Sequence, residues 1–454
     1  MKFTTALLLL FITAVSSAQQ PASNANREIV FEDVNVLTMV TDELKQHQTV
    51  VTRNGKVTAI GPVKKVRFGK DALVINGEGK FLIPGLAEMH GHVPPIDDLQ
   101  PMKDVLALFA VNGITTVRGM LGHPKHLELR AMVQKGEILS PHFYTTGPSI
   151  NGMSVTSPEA GAEMVRQQKK AGYDFLKMHP GLSRAKFDSI AATANKIGIP
   201  FVGHVSFGVG VWRAIEAGYS SIDHLDGFIE GLVPGIESMV EQQTGPFGMQ
   251  VADKADTTKI PQLMNALKAG NIWVVPTQSL AERWFSPHYT SDDFRKDPNV
   301  KYMNPNTVNQ WITSKNNLMN DPNFNVSRAE YFVKLRRKLI AECQKNGIGL
   351  LLGCDAPQIF NVPGFSTHNE LEYLVKAGLT PYQALETGTV NVAKYLKIKN
   401  AGTIEVGSVS DLILLNGNPL EDINHVRAQS GVMIGTRWMD KTFIDNELKR
   451  LVKQ

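Results

Sequence analysis

The sequence predicts an α/β chain: a (β/α)8 TIM barrel carrying a small β-sandwich formed by the N- and C-terminal segments. Three observations predict it. Short apolar runs alternate with stretches of helical periodicity through the middle of the chain, which calls for parallel strands. Glycines recur where those helical stretches end, at Gly113, Gly172, Gly198, Gly218, Gly270 and Gly347, where helix C-caps belong. Strand-like segments lie at both ends of this alternation. The 454 residues, 43% hydrophobic and 20% charged, have globular proportions. Length alone would give about three domains, and a barrel of ~250 residues absorbs most of that.

The chain opens on Met1-Lys2, an apolar run over residues 6–15, and Ser16-Ser17-Ala18. These are the three parts of a secretory signal peptide. The run is shorter than the ~20 residues of a spanning helix, so residues 1–18 read as a leader cleaved near Ala18. The mature chain is then expected to be secreted or periplasmic, with no stable membrane insertion. A polar linker leads to strand-like runs at 28–31, 34–38, 49–53 and 56–60, with the turn signal Asn54-Gly55 before the last. Residues 19–80 and 400–454 are assigned to the sandwich and residues 81–399 to the barrel.

The expected barrel strands are 81–92, 114–120, 142–150, 174–179, 200–206, 221–226, 272–278 and 348–356. Helical stretches lie between them, and two more, 367–377 and 381–396, close the unit. Residues 283–327, polar and rich in aromatics, follow the seventh strand and form either a lid over the active-site face or a surface insertion. The last stretch returns to β character at 402–405, 411–415, 432–435, 437–438 and 442–443.

Barrel chemistry sits at the C-terminal strand ends. His90 and His92 end the first strand and, two residues apart, share a face. Taken alone, this pair reads as two polar loop histidines. Lys177, His204, His224 and Asp355 change that, because they stand near the ends of the fourth, fifth, sixth and eighth strands. A lysine among apolar residues is costly unless paired or modified. Two cysteines exclude a disulfide scaffold and a thiolate metal site. A net charge of +4 without a dense basic stripe gives no nucleic-acid footprint and leaves a small molecule as the expected partner, with homo-oligomerisation open.

This set resembles the amidohydrolase superfamily with a binuclear metal centre. The stretch 81–90 is similar to its first-strand signature, 113–118 to its second strand, and 368–371, 384–389 and 402–414 to its C-terminal signature. A lysine on the fourth strand resembles the imidazolonepropionase-related, prolidase-type subgroup. The resemblance implies that His90, His92 and Asp355 hold one divalent ion, zinc by family habit, and His204 and His224 a second. Lys177, carboxylated to a carbamate, would bridge the two. A bridging water would ionise near pH ~7, and Asp355 would take its proton and pass it to the leaving amine. The reaction implied is hydrolysis of an amide, in a dipeptide or an N-acyl amino acid.

Gly119 stands where the family often has Asp. Arg118 either packs structurally or binds a substrate carboxylate. His179 shares parity with Lys177, and either binds substrate, supports the carbamate or makes a plain hydrogen bond behind the ligands. Tyr144 is either a carbonyl polariser or a core residue. His368 and Glu370 are expected in structural or rim roles, and His123, His126, His142, His288 and His425 on the surface or in loops. Cys343 and Cys354 read as buried thiols, with a disulfide as the other option. A mononuclear deaminase is the rival enzyme reading, but it calls for Glu three residues after His204, where Phe207 stands. A non-catalytic binding protein is the third reading, and the presence of every ligand candidate counts against it.

Overall fold

The computed structural model describes residues 27–453. The expected leader and the polar linker up to residue 26 therefore lie outside the described residues. Strands β1 (Ile29–Leu37), β2 (Leu44–Arg53), β3 (Lys56–Pro62), β4 (Leu73–Asn76) and β5 (Phe81–Pro84) come first. The parallel strands β6 (Leu86–Gly91), β7 (Ile114–Gly119), β8 (His142–Thr145), β9 (Leu176–Met178), β10 (Phe201–Gly203), β11 (Ser221–Asp223) and β12 (Trp273–Val275) follow, with helices between them. Strands β13 (Leu412–Leu415), β14 (Gln429–Ile434) and β15 (Arg437–Asp440) end the sheet structure.

The expected first barrel strand, 81–92, is two strands. β5 pairs with β1 and β13, while β6 pairs with β7. Pro84-Gly85 breaks the run. Gly85 is held against Thr115, which a Cβ would approach to 2.2 Å. The terminal segments form one mixed sheet, ordered β15-β14-β13-β5-β1-β2-β3 with β4 beside β1, where a two-sheet sandwich was expected. A bulge in β1 and one in its partner β2 bend the sheet. The sheet curls so that Trp438 packs edge-on to Phe31 with centroids 5.2 Å apart, over an apolar core that includes Val34, Val36, Leu82 and Leu414. The β character expected at 442–443 is overturned: Asp440 caps a helix, Lys441–Arg450, by accepting from Phe443 N.

The parallel strands form two sheets, β6-β7-β8 and β12-β11-β10-β9. Single bridges, Thr146 with Phe175 and Ile150 with Met178, join β8 to β9. The eighth expected strand pairs regularly only at Leu350 with Val274. It then bonds back to the first, with Met89 N donating to Leu352 O and His92 N to Ala356 O. The architecture is TIM-barrel-like. Gly172, Gly198 and Gly218 end their helices in the left-handed conformation, as the sequence predicts, whereas Gly270 keeps a helical φ of −76°.

The insertion after β12 carries helices Ser291–Arg295 and Pro305–Met319. Its aromatics pack against the chain that follows the eighth expected strand: Phe294 stacks on Phe360 at 4.0 Å, Trp311 is buried beside them, and Tyr302 stacks on Phe365. Trp284, with its backbone oxygen held by the Lys315 ammonium, faces a cavity.

Candidate metal centre

All six predicted ligands converge at the C-terminal ends of the parallel strands. The imidazoles run in a chain, His92, His90, His224 and His204, with successive centroids 5.5, 4.4 and 4.4 Å apart. His90, His92 and Asp355 place ligand atoms within 4.8 Å of one another. Lys177 is fully buried, its Nζ donating to His90 Nε2 at 3.1 Å.

Local backbone explains the convergence. In β6 the partner register advances by two residues, Val117 to Gly119, while β6 advances by three, Glu88 to Gly91. Simple alternation would put His90 on the same face as Glu88, which reaches out to Cys354 and Thr367. The extra residue turns the histidine inward. Glu88 fixes the bulge by accepting from His90 N at 3.0 Å and Cys354 N at 2.9 Å. His224 and Asp355 leave their strands with φ of +64° and +66°, strained for non-glycine residues and of a kind that clusters at functional sites. Arg336 holds the His224 carbonyl. Gly203 makes room for the lysine: a Cβ there would lie 2.8 Å from Lys177 Cδ.

Each inner imidazole is oriented by a partner at Nδ1. His90 donates to Asp223 at 2.7 Å and His204 to Asp226 at 2.9 Å, while His224 pairs with Thr277 Oγ1 at 2.9 Å. This arrangement aims Nε2 at the shared centre, the habit of metal-binding histidines. The sequence does not single out Asp223, which precedes His224, or Thr277, which stands near the end of the seventh expected strand.

Burial, then the nearby Lys177 charge, holds His90 well below the ordinary imidazole range; burial, then His204, does the same to His224. Burial brings Lys177 down to about 8, against the opposing pull of Asp223 and Asp355. The decisive atoms are orphans. His92 Nε2, His224 Nε2 and Asp355 Oδ1 are buried without a hydrogen-bond partner. His92 Nε2 lies 2.9 Å from Asp355 Oδ1 without hydrogen-bond geometry. Buried polar atoms are rarely left so. A divalent ion satisfies imidazole nitrogens and a carboxylate oxygen together, so the donor set fits a metal.

The remaining candidates separate. His179 stacks on His204 at 5.1 Å, and its buried Nδ1 has no partner. Burial, then Lys177, lowers its pKa strongly. Arg118 is wholly buried beneath the site, donating to Met89 O, Ser221, Tyr395 and Asp223, and so braces the carboxylate that orients His90. Its reading as a substrate-carboxylate binder is corrected accordingly. Tyr144 packs in an apolar cluster with Phe175 and Met120, and the charge that acts on it is Asp174, at the far end of the fourth strand. That corrects its reading as a carbonyl polariser.

His126, expected on the surface or in a loop, lies in the helix Pro124–Gln134 and is fully buried, with Nε2 bonded to Pro94 O at 3.1 Å. His368 bonds Asn112 O, and Glu370 accepts from Gln278 N and Ser279 N, so both are structural. Cys343 and Cys354 are free and buried. Phe247, missed in the sequence, covers the centre at 5.4 Å from the His224 ring.

A cavity of about 830 Å³ opens beside His204 and Asp226, within the ordinary size of small-molecule sites. No helix among the described residues is long and apolar enough to cross a membrane.

Comparison with known proteins bears on the fold and the family. The chain is 22% identical over 414 residues to a 5-methylthioadenosine/S-adenosylhomocysteine deaminase of Shouchella clausii (strain KSM-K16), covering 85% of each chain. It is similar in fold to the bottromycin amidohydrolase (TM-score 0.70, 20% identity, 93% of this chain and 89% of that one). It is also similar to a Xaa-Pro dipeptidase with bound methionine in the active site (TM-score 0.65, 18% identity, 91% of this chain and 100% of that one). The model of the amidohydrolase family matches residues 81–445, most of the sequence. The chain belongs to the amidohydrolase family and is a hydrolase acting on carbon–nitrogen bonds.

Proposed function

We propose that the protein is an exported binuclear metal-dependent amidohydrolase that cleaves an amide in a dipeptide or N-acyl amino acid. The observation that carries the reading is the group of orphaned ligand atoms around a buried lysine. His90, His92 and Asp355 would hold one ion and His204 and His224 the other, with zinc as the expected metal. When bound, such ions supply an activated water and a polarised carbonyl. A lysine ammonium among ligands would repel them. Addition of the Lys177 amine to CO2 forms an N–C bond, releases a proton and leaves an anion between the ligands. Room left at Gly203 supports that role.

The chain's own groups would then move the proton. Asp355 Oδ1 has no donor of its own and accepts the proton of the attacking water, then returns it to the leaving nitrogen. His179 offers its unpartnered Nδ1 to the substrate. Phe247 and the buried surroundings exclude bulk water. Hydrogen bonds between the first and eighth expected strands support the closed (β/α)8 reading.

The deaminase reading draws on one relative's name, but Phe207 occupies the place of its expected proton shuttle. Metal analysis separates the readings: about two ions per chain supports the proposal, about one the deaminase, none a binding protein. Asp355→Asn should keep the fold and lose ~10²–10⁴-fold in kcat. Near-unchanged kcat removes Asp355 as the proton carrier.

A further inference from the structure

The cavity beside the metal centre has a marked charge. Its carboxylate-bearing lining residues are Asp226, Glu230, Glu237 and Glu241, and no lysine or arginine lines it. The chain as a whole carries +4, so this acidity is local. Its walls include Trp212, Phe247 and Trp284.

An acidic rim alone would mean little, but the interior adds an independent sign. Glu230 Oε2 is buried without a hydrogen-bond partner, and so is Trp284 Nε1. The carboxylate is built into place: a Cβ on Gly248 would lie 2.8 Å from Oε2, so glycine there leaves it space. Arg336 acts on Glu230, but its own guanidinium is spent on His224 O, Pro276 O and Gln278. Burial, with Asp226 nearby, pushes Glu230 up to about 8 against the pull of Arg336. Asp226 is committed to His204 and to Val205 N. Glu237 and Glu241 are exposed at the mouth.

We infer that this cavity receives a positively charged, partly apolar group of the substrate, an alkylammonium or guanidinium, with Glu230 as its buried partner and the aromatic walls around its stem. Cations gain from aromatic faces as well as from the carboxylate, and desolvated pairing outweighs rim contacts. The inference rests on the amide-hydrolase reading and narrows it: lysyl- or arginyl-type amides fit the cavity, whereas a free carboxylate meets only repulsion there.

The test uses the purified zinc-loaded chain and two probes that are not amides, 3-phenylpropyltrimethylammonium and the neutral 3-phenylpropanol, compared by isothermal titration. A quaternary ammonium neither ligates a metal nor titrates. The cation should bind about tenfold tighter, and its advantage should shrink with added salt and in both Glu230→Gln and Glu241→Gln. Glu241 is exposed, so its variant guards against a folding defect at Glu230. Equal binding of the two probes, or an advantage unmoved by both variants, overturns the inference. A matched pair of dipeptides with lysine or norleucine at one position then reads kcat/KM. Cation binding without cleavage of either dipeptide upholds the cavity's charge and sinks the amide reading. Cleavage of both at equal rates, without cation binding, does the reverse.

Discussion

Lys177 shows how much one side chain asks of its surroundings. It is fully buried beside His90, with Gly203 leaving room for its stem. Lys177→Ala should lose bound metal and more than ~100-fold in activity, with partial rescue by formate or acetate, which replace the carbamate anion. Metal content measured beside turnover checks this, and full metal occupancy in the variant would sink the bridge. His126 makes a different statement. Burial lowers its pKa to about 4, against 6.5 for the free group. Below pH 6.5 the unfolded chain takes up a proton that the folded chain refuses. Its contribution is therefore intact above pH 6.5 and drains away as pH falls towards 4, on the order of 3 kcal/mol in all. Urea unfolding of His126→Gln should show a flatter acid limb than wild type between those values.

The candidate ligand set was legible because strand ends carry barrel chemistry and because His, Lys and Asp stand out among apolar runs. Its supports were less so. Strand parity correctly turned Lys177 and His179 together, but nothing in the sequence marks the bulge that turns His90 away from the face of Glu88. Bulges depend on pairing with a neighbour, which is non-local. The burial of His126 escaped for the same reason, whereas the split of 81–92 carried a local signal in Pro84-Gly85. At this scale Glu88 is the clamp between the first and eighth expected strands, taking hydrogen bonds from His90 N, Cys354 N, Cys354 Sγ and Thr367 Oγ1. Glu88→Ala orphans those donors, each at ~1–3 kcal/mol. The expected outcome is a loss of about 3–5 kcal/mol in urea unfolding and weaker metal retention. An unchanged transition would show that the clamp is dispensable.

For the whole molecule, composition gave the class and alternation the architecture, while the terminal unit is one curled sheet in place of two because its strand order rests on pairing between distant segments. The leader is the remaining expectation at this scale. Mass spectrometry of protein recovered outside the cytoplasm of an export-competent host should find a mature N-terminus near residue 19. Retention of Met1 in that material would remove the leader reading. The terminal sheet also bears on how the chain comes to be. β5, made early, is gripped on one side by β1 and on the other by β13, more than three hundred residues downstream. Contacts so distant in sequence form late. Until the ribosome has released β13 to β15, one edge of β5 has no neighbour, so the terminal sheet closes only when synthesis of the chain is nearly complete.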